Sequence, residues 1–155
     1  MANLALEWNA EAGCADLCFA QGDFALDGGL SSVVLASLLT DSRADVVELP
    51  DRGGPDEDDR RGWWGDALSD GDWGSPLWTL RRAKTLPETL RRAEDYARRA
   101  LAWMIEDGIV ARLDIIATRT DGVGSGATLA LSIVLHKPDG TREALLYDRL
   151  WEATL

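Results

Sequence analysis

The stretch that most limits how this chain can fold is residues 85–108, taken with the alternating segments behind it. Thr85-Leu86-Pro87-Glu88 has the form of a capping box: the threonine hydroxyl can accept from the N3 amide while Glu88 reaches back. Pro87 then falls in the first turn, where its missing N–H does no harm. The spacing predicts a helix from about Leu86 to Asp107, with Leu90, Ala93, Ala97, Ala100, Leu101 and Met104 on one face. Tyr96 and Trp103 widen that face. Glu94 with Arg98 and Asp95 with Arg99 form i,i+4 pairs in the favourable order, and Gly108 is the expected stop. Beyond Gly108 the apolar period changes to two. A strand is expected over about 109–119, with Val110, Leu113, Ile115, Ile116 and Ala117. Another follows over 127–136, with Leu129, Leu131, Ile133 and Leu135 on one side, and a third over Thr141–Tyr147. Thr120–Gly126 and Lys137–Gly140 read as the connections. An amphipathic helix followed by alternating strands buries both apolar faces by lying across the sheet.

The segment before residue 50 is consistent with that plan. Leu4, Leu6 and Trp8 alternate, and Leu17 and Phe19 alternate after a turn at Asn9–Gly13, so 3–8 and 15–20 form a candidate hairpin. A second turn follows at Gln21–Asp23. Asp27 reads as a helix N-cap before Gly28 and Gly29. The run Leu30–Leu39 behind it is apolar on nearly every side and predicts a central, buried helix. Asp41–Pro50 is mixed, and Asp51–Asp59 is a charged loop with glycine and proline.

Asp59–Trp78 holds Trp63, Trp64, Trp73 and Trp78, four of the seven tryptophans. Gly62, Gly65, Gly71 and Gly74 allow sharp turns beside the rings, so this segment is a loop rather than a regular element. Tryptophan is costly to leave in water, and its N–H wants a partner when buried. Such a loop can be a connection clamped over the core. It can also be a surface that another protein grips, since tryptophan and arginine dominate binding hot spots. Both readings can hold at once.

Composition narrows the function. At 155 residues the chain reads as one domain, and 46% hydrophobic content supplies a core. A net charge of −11 argues against nucleic acid or anionic membrane as the main partner. No run approaches the ~18 apolar residues of a membrane span. The N-terminus carries no basic n-region, so cytoplasmic synthesis is expected. Cys14 and Cys18 would lie about 13 Å apart on a strand, too far for a disulfide, and read as small apolar filler. With His136 the sole histidine, soft ligands are too few for a closed zinc site. The acids at Asp56–Asp59 and at Asp70 and Asp72 lack the spacing of a calcium loop. Arg91, Arg92, Arg98 and Arg99 are interleaved with acids and read as a solvated helix face. Gly122–Gly126 lacks the later lysine of a phosphate loop. Glu106 and Asp107 are the best-placed carboxylate pair, unfavourable at a helix C-terminus unless Arg112 or a basic partner compensates. No catalytic, cofactor-binding or metal residues are assigned, and the chain is expected not to be an enzyme.

Several motifs belong together: Thr40-Asp41-Ser42-Arg43-Ala44 after the apolar helix, Arg60-Arg61-Gly62-Trp63-Trp64-Gly65-Asp66, and Gly74-Ser75-Pro76-Leu77-Trp78. To these add Arg81-Arg82-Ala83-Lys84, then Tyr96 and Ala100-Leu101-Ala102-Trp103 with Asp107-Gly108. In order and wording they resemble the Mu-type phage tail baseplate protein family. That family is in turn similar to the short baseplate-wedge proteins of contractile tails and type VI secretion. Those proteins end their long helix in a Glu-Pro-Arg motif, where this chain has Glu106-Asp107-Gly108. The resemblance implies an α+β fold: a small, mostly antiparallel sheet of about five strands, with two or three helices packed on one side. It implies one wedge-like domain over residues 1–155. It also implies a structural baseplate subunit that joins the wedge and helps initiate the sheath. Its partners would be other wedge proteins and tail sheath or tube proteins, with no nucleic acid and no membrane. It would be made in the host cytoplasm and sit in the virion tail baseplate. The implied interface comprises Arg60, Arg61, Trp63, Trp64, Asp66, Trp78, Glu106 and Asp107. A sheet of this size cannot close, so an edge remains. The Thr141–Tyr147 strand is a weakly protected edge, open to strand addition or else covered by the N-terminal hairpin. A regulatory binding module on the same fold, similar to stress anti-adaptors, is the alternative. A glycan hydrolase using Glu106 and Asp107 is a third reading.

Overall fold

A computed structural model describes residues 3–49, 59–68, 72–81, 87–121 and 127–152. The expected capping box at Thr85, the acids Asp56–Asp58 and the connection 122–126 lie outside the described residues. The architecture is α+β. Strands β1 (Asn3–Leu4), β2 (Leu6–Asn9), β3 (Cys14–Leu17), β4 (Phe19–Ala20), β5 (Asp23–Phe24) and β6 (Leu26–Asp27) precede helix α1 (Ser31–Leu39). Helices α2 (Pro87–Ala100) and α3 (Ala102–Glu106) lead into β7 (Arg112–Asp121), β8 (Ala127–His136) and β9 (Arg142–Glu152). Short 3₁₀ turns at Val46–Glu48, Trp64–Leu68 and Pro76–Leu80 punctuate the long connection.

The expected sheet of about five strands is instead a three-stranded antiparallel sheet, β7-β8-β9, and three two-stranded ladders. The reason lies in the first 27 residues. Their strands are two to four residues long, and each of the three segments changes partner at its middle. The expected hairpin forms between β2 and β3, with Leu6 opposite Leu17 and Trp8 opposite Ala15. Beyond it, β4 pairs with β5 and β6 returns to β1. At the centre, Cys18 N donates to Ala5 O, Ala5 N to Ala25 O and Ala25 N to Cys18 O, each at 2.9 Å. This cycle uses the inner backbone groups of all three segments on one another, so they do not extend the main sheet.

The main sheet follows its alternation. Leu129, Leu131, Ile133 and Leu135 of β8 face inward beside Ile115, Ala117 and Tyr147. Ile116 and Leu146 point outward and are exposed. The helices cover the inner face. On α2 and just beyond it, Ala93, Ala97, Leu101 and Met104 are all fully buried, as the 3.6-residue period requires. The helix runs as expected but breaks at Leu101, whose φ is −106°, before resuming as α3. Gly108, at φ +69°, ends it. The expected i,i+4 pairs do not form: Glu94 and Arg99 take long-range partners, and Arg98 takes an i,i+3 one. Glu94 accepts from Ala117 N at 2.9 Å, Arg98 bridges Asp95 at 2.9 Å, and Arg99 bridges Glu48 at 2.6 Å. Tertiary partners win because an exposed i,i+4 pair contributes only about 0.3–0.5 kcal/mol.

Asp27 serves α1 from outside its first turn. Its carboxylate accepts from Ser32 N at 2.8 Å and Gly29 N at 2.7 Å. The Ser32 amide, with that of Gly29, holds the Asp27 carboxyl below its usual range, against the opposing effect of desolvation. The cysteines differ from expectation: Cys14 is exposed, and Cys18 is half-buried with its thiol 3.7 Å from Glu7 Oε2. The first residue of β3 and a junction residue escape the core because the N-terminal ladders cover it only in part.

Two outcomes follow. Leu101→Asp should lower unfolding free energy by about 3 kcal/mol or more in a denaturant titration, and Leu90→Asp by less, because Leu90 is only partly buried. Because the Asp27 pKa is depressed in the fold, its contribution is complete above the ordinary carboxylate range. It is lost as pH falls through the depressed value. Asp27→Asn should therefore flatten the acid limb of a melting-temperature profile against pH.

Candidate functional site

The residues of the tryptophan loop separate into those that hold it down and those that it offers. Gly74 begins the docking. Its φ is +101°, and a Cβ there would lie 2.3 Å from Thr40 O. Only glycine permits this approach, which lets Ser75 N donate to Thr40 O at 2.9 Å and Ser42 N to Ser75 O at 3.1 Å. The buried Ser75 hydroxyl donates to Leu38 O at 2.6 Å, at the end of α1. Trp78 is then buried in the 3₁₀ turn, its Nε1 donating to Ser42 O at 2.9 Å.

Arg61 lies over the Trp78 ring, 4.5 Å from its centroid, and pairs with Asp41 and Asp59. Arg60 donates through Nε to Ala44 O at 2.7 Å and sits 3.5 Å from Asp45. Asp66 draws the two halves of the loop together, accepting from Trp63 N at 3.2 Å and Trp73 N at 2.9 Å. Arg60, Arg61, Asp66 and Trp78 are therefore engaged within the chain, and the loop is docked.

Trp63, Trp64, Glu106 and Asp107 remain exposed. The Trp63 and Trp64 rings meet at 5.3 Å, and Trp63 packs so closely over Gly65 that a Cβ there would lie 2.2 Å from its ring. Across from them, Trp73 meets Trp103 of α3 at 5.5 Å. Between these pairs lies an open groove of about 750 Å³, with Trp63, Trp73 and Trp103 on its walls and Arg99, Glu106 and Asp107 among its polar lining. Trp103 Nε1 is buried without a hydrogen-bond partner among the described residues. The structure thus brings Trp63 together with Glu106 and Asp107, while Trp64 stands beside them at the surface.

Arg112 does not compensate the two acids. It bridges Asp114 at 2.7 Å, and His136 Nε2 lies 2.7 Å from the same carboxylate. Those contacts, that of His136 first, hold the Asp114 carboxyl below its ordinary range. Trp73, Trp103 and Arg99 are groove residues that periodicity assigns to the loop, the core face and an i,i+4 pair. Their convergence comes from the docking of the loop onto α3, which no local pattern records. Chemically the groove suits an inserted side chain, with aromatic walls and both signs of charge at its margin. Among the described residues, no group of three or more His, Cys, Asp or Glu side chains could hold a metal ion.

The docking is testable. Gly74→Ala should cost about 2–4 kcal/mol through a positive φ and the clash with Thr40. Trp78→Phe should cost about 1–2 kcal/mol by leaving Ser42 O unpaired. Urea unfolding of both variants measures this, and parent-like midpoints would show that the loop is not anchored there.

Comparison with known proteins gives this geometry its setting. Residues 30–142 match the family model described as Phage protein GP46. The chain is 36% identical over 152 residues to the Mu-like prophage FluMu protein gp46 of Haemophilus influenzae, covering 97% of this chain and 98% of that protein. It is 41% identical over 142 residues to baseplate protein gp46 of Escherichia phage Mu, covering 91% of each. The aromatic loop, the helices and strands β7 and β8 fall within residues 30–142, and the chain belongs to the Phage protein GP46 family of Mu-type phage baseplate proteins.

Proposed function

We propose that this protein is a structural, non-enzymatic subunit of a contractile tail baseplate, acting as a single wedge-like domain over residues 1–155. It joins the wedge and helps to start the sheath. Kinship with a phage Mu baseplate protein supports the location and the role among other baseplate components. The observation that carries the finer reading is the outer edge of β9. The strand pairs with β8 along one side. On the other side, among the described residues, no strand forms a ladder with it. The N-terminal hairpin reaches this edge through a side chain, Trp8 Nε1 donating to Asp148 O at 2.6 Å. It touches the edge without covering it by backbone pairing.

An open edge recruits strands, because its N–H and C=O groups need partners. A sheath or wedge strand can add there, with Leu146 exposed beside it. The groove walled by Trp63, Trp73 and Trp103, with Glu106 and Asp107 at its margin, is proposed as a second contact with a wedge neighbour. Arg60, Arg61, Asp66 and Trp78 serve this contact indirectly by holding the loop in place, and Trp64 extends the aromatic surface.

Asp148 turns its carbonyl outward, and alternation puts the Leu146 amide on the same side. Leu146→Pro therefore removes an outward donor and spares the β8 ladder. The expected result is folded protein whose tails lack sheath, seen by electron microscopy of particles made with the variant. Normal sheathed tails would remove the strand-addition reading. Purified protein is also expected to leave a cell-wall suspension turbid; clearing that is lost in Glu106→Gln would replace the structural reading with an enzymatic one.

A further inference from the structure

The groove beside α3 has a charge pattern as well as aromatic walls. Its charged lining comes from Asp72 of the loop, Arg99 of α2, and Glu106 and Asp107 at the end of α3. Arg99 is already met: Glu48, which does not line the groove, holds it at 2.6 Å. Among the described residues, Asp72, Glu106 and Asp107 form no ion pair. Glu106 is the last residue of α3 and Asp107 is its C-cap. Asp107 N donates to Trp103 O at 2.8 Å, so helical geometry reaches this residue. Carboxylates are unfavourable at that end of a helix, where the dipole favours a cation. Arg112, the next basic residue in the chain, is held by Asp114 at 2.7 Å instead.

The walls supply the second half of the pattern. Trp63 meets Trp64 with their planes 48° apart, and Trp73 meets Trp103 with theirs 45° apart. Neither pair is a parallel stack, and Trp63, Trp73 and Trp103 all still line the groove. Trp103 is placed by ring contact rather than by a hydrogen bond, since its buried Nε1 has no partner among the described residues. Indole faces attract cations more strongly than other aromatic rings do. The three rings and the three acids border one open groove of about 750 Å³, so a single occupant meets both.

Building on the reading of this groove as a contact with a baseplate neighbour, we propose that its occupant is an arginine side chain on a segment of that neighbour. The guanidinium lies against the indoles and faces Glu106 and Asp107. Charge and shape select it. A neutral or acidic side chain would leave the carboxylates unmatched. A guanidinium is planar, so it stacks on an indole while its N–H groups reach a carboxylate, which the compact ammonium of lysine does less well. A second copy of this chain would bring a net charge of −11 to an acidic groove.

The chemistry is tested in solution with the full chain. Acetyl-Leu-Arg-Leu-amide is titrated in parallel with the same peptide carrying citrulline, which has nearly the same shape and no charge. The indole N–H resonances of Trp63, Trp73 and Trp103 are followed by NMR. The arginine peptide should give saturable shifts with a Kd of about 1–10 mM, and the citrulline peptide should bind about tenfold more weakly or worse. Glu106→Gln with Asp107→Asn should abolish that preference while melting at or above the parent temperature. No saturable shift with arginine, equal binding of citrulline, or a preference that survives in the double variant overturns the inference. So does a dimer of the parent, seen by sedimentation, that the double variant dissolves, because a second copy then fills the groove.

The contact is tested separately by incorporation into purified tails. Trp63→Ser and the double variant should each lower it by about tenfold or more, the scale of losing a hot-spot contact. If Trp63→Ser lowers it and the double variant does not, the groove is a contact that reads no cation, and the inference is overturned. If both incorporate like the parent while the arginine preference holds in solution, the baseplate reading of the groove fails and its selectivity for a guanidinium stands.

Discussion

Ser75 is the point on which the middle of the structure depends. A connection without regular secondary structure cannot lie against a core unless its backbone polar groups find partners. Ser75 supplies several at once: its amide donates to Thr40, its carbonyl accepts from Ser42, and its hydroxyl joins Leu38 O to the Leu77 amide. All of this happens within a buried residue. The next five residues, Pro76–Leu80, are buried as well and present Leu77, Trp78 and Leu80 to the core. Without those hydrogen bonds, burying that segment would leave unpaired peptide groups at a cost of about 1–3 kcal/mol each.

Around the same anchoring, several cations of this acidic protein meet carboxylates. Arg60 and Arg61 meet Asp45, Asp41 and Asp59, and Arg99 meets Glu48. Burial pushes the Glu48 carboxyl up, but the Asp45 amide and the Arg99 guanidinium more than reverse it, and its net shift is downward. Arg92 donates to Tyr96 Oη at 2.8 Å and to Glu48 O at 3.2 Å, tying the Val46–Glu48 turn to α2. Several of these contacts are partly exposed, so they act more by fixing position than by adding stability. Arg60, Arg61 and Arg99 gather around the central connection, and no Lys, Arg or His occurs before Arg43. Among the described residues, Glu7 and Asp16 of the N-terminal ladder form no ion pair with Lys or Arg, while Asp41 pairs with Arg61.

Much of the fold could be read from the residues because it rests on local periodicity. The apolar stripe from Leu90 to Met104, the stop at Gly108 and the alternation of Leu129, Leu131, Ile133 and Leu135 each reflect a geometry a short segment adopts by itself. The density of tryptophan and glycine in residues 59–78 likewise implied a docked loop with some rings exposed. Among the candidate interface residues, Trp63, Glu106 and Asp107 do converge on one groove. Arg60, Arg61, Asp66 and Trp78 turn out to be held inside the loop's own network.

The sequence by itself determined which segments are helices and strands, which of their faces are apolar, and that the loop must fold down. Tertiary structure alone decided where those faces meet. The three N-terminal segments close on one another through Ala5, Cys18 and Ala25 because each is too short to span the sheet and changes partner at its centre. Arg99 chooses Glu48 over Asp95 because a distant turn brings that carboxylate to 2.6 Å. Trp73 and Trp103 come to share a groove because the loop docks beside α3. Each of these is a contact between residues far apart in the chain, and a repeating local pattern carries no record of such a meeting.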